Sequence, residues 1–190
     1  MKITYIDWHE GYGYAVELLP QLTTVERSIV FEAIKKHYAV DPDWRDVQAA
    51  VELTDVDTAA FLRSVLERGT FDQKIRALFG LRNQGLINED VVLSTCHEWI
   101  PVIREQDGIH VLLDTITKLK IVDLYESMFD RAMTGTPGSW VAAAYYAIAV
   151  GAVNNPNDHT RMQLYTSLQS RDVARQQAAK EEYLRMVNRK

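Results

Sequence analysis

Helix-start and helix-stop signals follow one another along almost the whole chain, with hardly any period-two alternation between them. Thr23, with Glu26 three positions later, fits the S/T-x-x-E capping box, in which hydroxyl and carboxylate each satisfy a backbone N–H at a helix start. The spacing predicts a helix to about Tyr38, with Val25, Ile29, Ala33 and Val30, Ile34, Tyr38 on one stripe. Asp41-Pro42 reads as an N-cap followed by proline at the first helical position, where the missing N–H has no partner to lose. That helix carries Trp44, Val47 and Val51 and ends near Leu53. Asp57 opens another, closed by Gly69, and Thr70 opens the next, closed by Gly85. Asn88, with Glu89 and Asp90 at the positive end of a helix dipole, starts a helix that Pro101 ends or kinks.

The second half repeats the pattern. Asp107 precedes a helix with Ile109, Leu112, Leu113, Ile116 and Leu119, and Asp123 to Met133 forms another. Gly135-Thr136-Pro137-Gly138 is a break, after which Ser139 serves as N-cap of an alanine-rich helix, Trp140 to Val153. The turn Asn154 to Asp158 leads into a helix to about Gln169, and Ser170 and Asp172 open a last one reaching Asn188. Lys2 to Ile6 alternates weakly and, with no second strand to pair with, reads as an extended arm. The expected fold is all-α: about ten to eleven helices on connections of two to six residues, which favour antiparallel neighbours, in a single domain spanning residues 1–190.

Phe71 to Val91 runs as a helix ending in Gly85, a short turn, and a second helix from Asn88; Val141 to Leu168 has the same rhythm around Gly151 and Asn155-Pro156. Both segments resemble units of HEAT or armadillo repeats. The resemblance implies an α-solenoid-like stack, over less than half of the chain. No fixed period runs through the rest, which leaves an irregular helical bundle as the alternative.

Several function classes are disfavoured. The longest uncharged apolar run, Trp140 to Val153, has 14 residues, short of the ~20 that span a bilayer. The opening Met1-Lys2-Ile3-Thr4-Tyr5-Ile6-Asp7 is too polar for a secretory signal, so a cytoplasmic location is expected. One cysteine, Cys96, allows no intrachain disulfide and no multi-cysteine zinc site. A net charge of -5 argues against a general nucleic-acid binder. Cys96-His97-Glu98 are sequence neighbours, which on a helix point about 100° apart and do not face one another. His110 and Asp114 share a helix face, but two ligands do not make a metal site. His97-Glu98 is not followed by the second histidine of a zinc-protease motif, Gly11-Tyr12-Gly13 lacks the third glycine of a dinucleotide fingerprint, and no Walker lysine follows Gly135 to Ser139. No catalytic, cofactor or metal residue is assigned, and the chain is expected not to be an enzyme.

Charge is distributed unevenly. Residues 1–60 hold five basic groups against eleven acidic ones, a balance of -6, whereas Ser170 to Lys190 is +3. Aromatic residues are interleaved with the acids, and Tyr and Trp offer large contact area at small entropic cost. This combination marks Asp7, Trp8, Glu10, Tyr12, Asp41, Asp43, Trp44 and Asp46 as candidate partner-binding residues, facing a protein whose contact surface is basic. A small acidic chain of this kind is similar in size and charge to the immunity proteins of bacterial toxin systems, including contact-dependent inhibition. The resemblance implies occlusion of a basic toxin domain, for example a nuclease. The alternative is a helical adaptor or regulatory subunit, which would expose a larger apolar patch.

Overall fold

The computed structural model describes residues 16–53, 56–154 and 159–188. The arm expected over Lys2–Ile6, the glycine pair Gly11 and Gly13, and the Asn155–Asp158 part of the expected turn lie outside them. Among the described residues the regular secondary structure is all helical, without strands: ten α-helices and three short 3₁₀ turns. They are α1 (Thr24–Val40), α2 (Trp44–Glu52), α3 (Ala59–Arg68), α4 (Phe71–Asn83), α5 (Glu89–Trp99), α6 (Ile109–Leu119), α7 (Tyr125–Met133), α8 (Ser139–Ala149), α9 (His159–Ser167) and α10 (Val173–Val187). They form two compact units, the first ending at Val92 and the second beginning at Leu93. None of the helices is long and apolar enough to cross a membrane.

In the first unit, α4 packs on both α3 and α2, and α1 packs on α2. The core gathers Phe31 and Ile34 from α1, Val47 and Ala50 from α2, Leu62 and Val65 from α3, and Ala77 and Leu81 from α4. The capping box expected at Thr23 forms with Glu26, and Thr70, expected only as a helix start, forms a second one with Gln73. Three local expectations are corrected. Asp41 does not cap α2; it is the C-cap of α1, and Asp43 beyond Pro42 caps α2 by accepting from Arg45 N at 2.8 Å. Gly69 does not adopt a left-handed closing conformation, since its φ is -70°. It is glycine because a Cβ there would sit 2.8 Å from Val65 O and 3.1 Å from Gln73 Cβ. The apolar positions of α1 form two faces rather than one stripe. Val25 and Val30 are five residues apart, about 140° around the helix, so Phe31 and Ile34 are buried while Val25 and Ile29 are exposed.

In the second unit, α8 is the centre. It packs on α6, α7 and α9, and α9 packs on α10. Val141, Ala142, Ala143, Ala144 and Ala147 of α8 are buried, and no residue of this helix is exposed. Its alanines admit close neighbours: Tyr183 of α10 donates its buried hydroxyl to Ala143 O at 2.9 Å, and burial pushes that phenol far above its ordinary range. Ser139 is not the N-cap here; Gly138, left-handed at φ 91°, holds that position and Ser139 is buried beside Thr134. Arg131 of α7 is buried and spans the loops around α8. It donates to Pro101 O (2.7 Å), Ile103 O (3.3 Å) and Pro137 O (2.8 Å), and desolvation lowers its pKa. Pro101 ends α5 as expected, with Val102 and Ile103 N–H both turned back to Trp99 O.

Candidate functional site

The candidate partner-binding residues that the structure describes lie in the first unit, where α1 turns into α2. Asp43 caps α2, and its second oxygen pairs with the Arg45 guanidinium at 2.9 Å. Trp44 follows as the first helical residue. Its ring faces two guanidinium groups: Arg76 of α4 lies 4.1 Å from the ring centroid and Arg45 lies 5.2 Å away. Arg76 is held in place by Gln48 Oε1 at 3.0 Å; Asp72 is near enough for an ion pair, at 3.3 Å, but is not aligned for a hydrogen bond. Burial lowers the Arg76 pKa, opposed by the Asp72 charge.

Asp46, in the first turn of α2, is 0 % exposed. Its Oδ2 receives His37 Nδ1–H at 2.8 Å, and this hydrogen bond raises the His37 pKa against the effect of desolvation, with the nearby Asp46, Asp41 and Asp43 charges adding to the rise. Asp46 is therefore not a surface acid, which corrects its expected place among the partner-binding residues of an exposed acidic face. An apolar α1–α2 contact has enclosed it, and burial is tolerated because His37 supplies a partner.

The candidate residues thus divide. Asp41 is exposed, Asp43 and Trp44 are half-buried and engaged with arginines, and Asp46 is enclosed. Asp7, Trp8, Glu10 and Tyr12 lie outside the described residues. Elsewhere, Cys96 is buried while His97 and Glu98 are exposed, and His97 Nδ1 lies 2.7 Å from Ser127 Oγ. Asp114 pairs with Lys118 at 2.7 Å, with His110 exposed nearby on the same helix. Among the described residues no group of three or more His, Cys, Asp or Glu is placed to hold a metal ion.

Two surfaces of α1 stand out that residue types alone do not announce. The first is its outer face. Val25 is 70 % exposed, Ile29 65 % and Val40 86 %, with Ala33 exposed among them. Helical steps of 100° put these four within about 80° of one another. Lys36 is exposed within this row, and Glu32 and Asp41 are exposed beside it and at its end. The second is a groove of about 700 Å³ between α1 and α3, lined among others by Lys35, Tyr38, Phe61, Ser64, Arg68 and Thr70. Gln73 sets its geometry: its Oε1 accepts from the Tyr38 hydroxyl (3.0 Å) and from Thr70 N (2.9 Å), and its Nε2 donates to Pro42 O (3.2 Å).

No protein-family model, no curated protein and no solved structure matches the chain.

Proposed function

We propose that the first unit is a protein-docking module and that the outer face of α1 is its contact surface. The observation that carries this reading is the exposed row Val25, Ile29 and Val40 on a helix whose opposite face is committed to the core. Isolated exposed apolar residues are ordinary on a protein surface. Several aligned along one rigid helix, in a unit with a buried core of its own, form a surface that gains by being covered. Glu32, bridged to Lys35, and Asp41 flank the row and Lys36 is exposed within it; residues 1–60 as a whole are acidic, so a partner with an apolar centre and a mainly basic rim is the complement. In this reading the chain neutralises its partner by occlusion, as an immunity protein does with a basic toxin domain.

A second reading is a helical adaptor with a permanent partner, and the exposed apolar row favours it. The two differ in salt response. A contact steered by charge weakens as ionic strength rises, whereas one held by apolar burial persists. The test is capture of partners by the purified chain at low and high salt, followed by binding measurements on the recovered partner with Ile29→Asp and with Glu32→Lys plus Asp41→Lys. Loss of binding in Ile29→Asp, and slower association in the charge-reversed variant, support docking on α1. Unchanged binding in both overturns it.

A further inference from the structure

The groove between α1 and α3 has the opposite electrostatic character from the unit that carries it. Lys35 stands on the α1 wall and Arg68 on the α3 wall, Ser64 and Thr70 add hydroxyls, and none of its lining residues is a carboxylate. Its floor is the edge-to-face pair Tyr38 and Phe61, with ring centroids 5.1 Å apart and planes at 82°. Tyr38 is fixed there by Gln73. Arg68 has a neutral partner, donating from Nη2 to Ser64 Oγ at 2.6 Å. Lys35 is bridged to Glu32 at 2.6 Å on the helix exterior. An exposed pair of that kind contributes little and exchanges readily with another carboxylate. Two cations over an aromatic floor, with no acid between them, select for a ligand that is both anionic and apolar.

We infer that this groove binds an acidic peptide segment, supplied by a protein partner, that carries an aromatic or branched apolar side chain. The apolar side chain lies against Tyr38 and Phe61, and carboxylates on either side of it meet Lys35 and Arg68. The groove has a volume of about 700 Å³. The groove is open to solvent along one side, so it leaves uncovered much of a compact small molecule, which a closed site buries almost wholly. An extended segment needs only alternate side chains covered. The site is separate from the outer face of α1 and takes a partner of opposite charge, so it stands whether or not that face is a docking surface.

The test uses the full chain and a labelled random copolymer of glutamate and tyrosine, with polyglutamate of the same length as comparison, read by fluorescence anisotropy. The net charge of -5 repels both polymers, so saturable binding at low salt reports a local cationic site. The expected result is binding of the copolymer about tenfold tighter than polyglutamate, and a loss of about tenfold in Lys35→Gln with Arg68→Gln. Lys36→Gln, an exposed lysine outside the groove lining, leaves binding unchanged. The substituted side chains reach solvent, and circular dichroism confirms that the helices persist. No saturable binding, equal binding of polyglutamate, or wild-type binding by the double variant overturns the inference. Sedimentation of the unlabelled chain completes the test: a dimer that the double variant loses places a second copy in the groove, and overturns the assignment to a partner peptide.

Discussion

Gly80 is the point of closest approach between α2 and α4, and replacing it separates two opposing effects. A Cβ built there falls well inside van der Waals contact with Val51 Cγ2, 3.2 Å from Val51 Cγ1 and 3.3 Å from its Cβ. Valine is stiff at χ1, and turning it exchanges one close methyl for the other. In isolation, glycine to alanine within a helix stabilises by about 1 kcal/mol. Overpacking a filled contact costs about 1–3 kcal/mol. Gly80→Ala is therefore expected to lower stability by about 0–2 kcal/mol. In a Val51→Ala background both offending methyls are gone, and the remaining Cβ needs to yield by only a few tenths of an ångström. There the same change is expected to be neutral or stabilising, giving a coupling of about 1–3 kcal/mol between the two sites. Urea unfolding of the wild type, both single variants and the double variant measures it. Gly80 lies one turn beyond Arg76 on α4, so Gly80→Ala should also loosen the Arg76–Trp44 stack and alter tryptophan emission. Additivity within about 0.5 kcal/mol refutes the close-packing argument.

The other predictions concern two buried positions, one titrating pair and one helix cap. Arg131→Met leaves three loop carbonyls without their donor and should lower stability by about 2–4 kcal/mol; Arg131→Lys, with one point donor, should recover only part, as thermal unfolding will show. Ala147→Glu places a charge at a wholly enclosed position of α8 and should cost more than about 4 kcal/mol, read by chemical denaturation. The His37 pKa is raised above its ordinary 6.5, so its contribution is fully present below that value and is lost as pH rises through the higher folded-state value. Stability measured from about pH 6 upward should decline, and His37→Gln should flatten that slope. Thr23→Ala removes the hydroxyl half of the α1 capping box, its bonds to Glu26 Oε2 and Glu26 N, while the Thr23 backbone N–H that does most to hold the Glu26 carboxyl below its usual range remains; it should lower stability by about 1 kcal/mol.

Signals carried by a few consecutive residues are readable in this chain. The boxes at Thr23 and Thr70, the left-handed Gly85 and the stop before Pro101 each rest on interactions within one helical turn. Asp41 and Asp43 are harder, because both are good caps on either side of Pro42, and which one serves depends on where α2 meets α1. The two faces of α1 are readable from the five-residue step between Val25 and Val30; which of them turns inward is settled by Phe31 and its edge-to-face contact with Phe61 at 5.9 Å. The enclosed state of Asp46 is not readable, because its partner His37 is nine residues away on another helix. The Trp44–Arg76 stack and the groove are likewise not readable, since each joins side chains from helices far apart in sequence. Acid count alone overstates the negative surface at the α1–α2 corner: Asp43 is paired, Asp46 is enclosed, and Arg76 arrives from α4.

Site-specific photo-crosslinking in the native host tests most directly whether the outer face of α1 meets the partner. A benzoyl-phenylalanine placed at Ile29, exposed on that face, is compared with one at His110, exposed on the second unit. The prediction is a discrete crosslinked protein from position 29, absent from position 110, and reduced when Glu32→Lys and Asp41→Lys are added. A crosslink from position 110 with none from position 29 contradicts the claim.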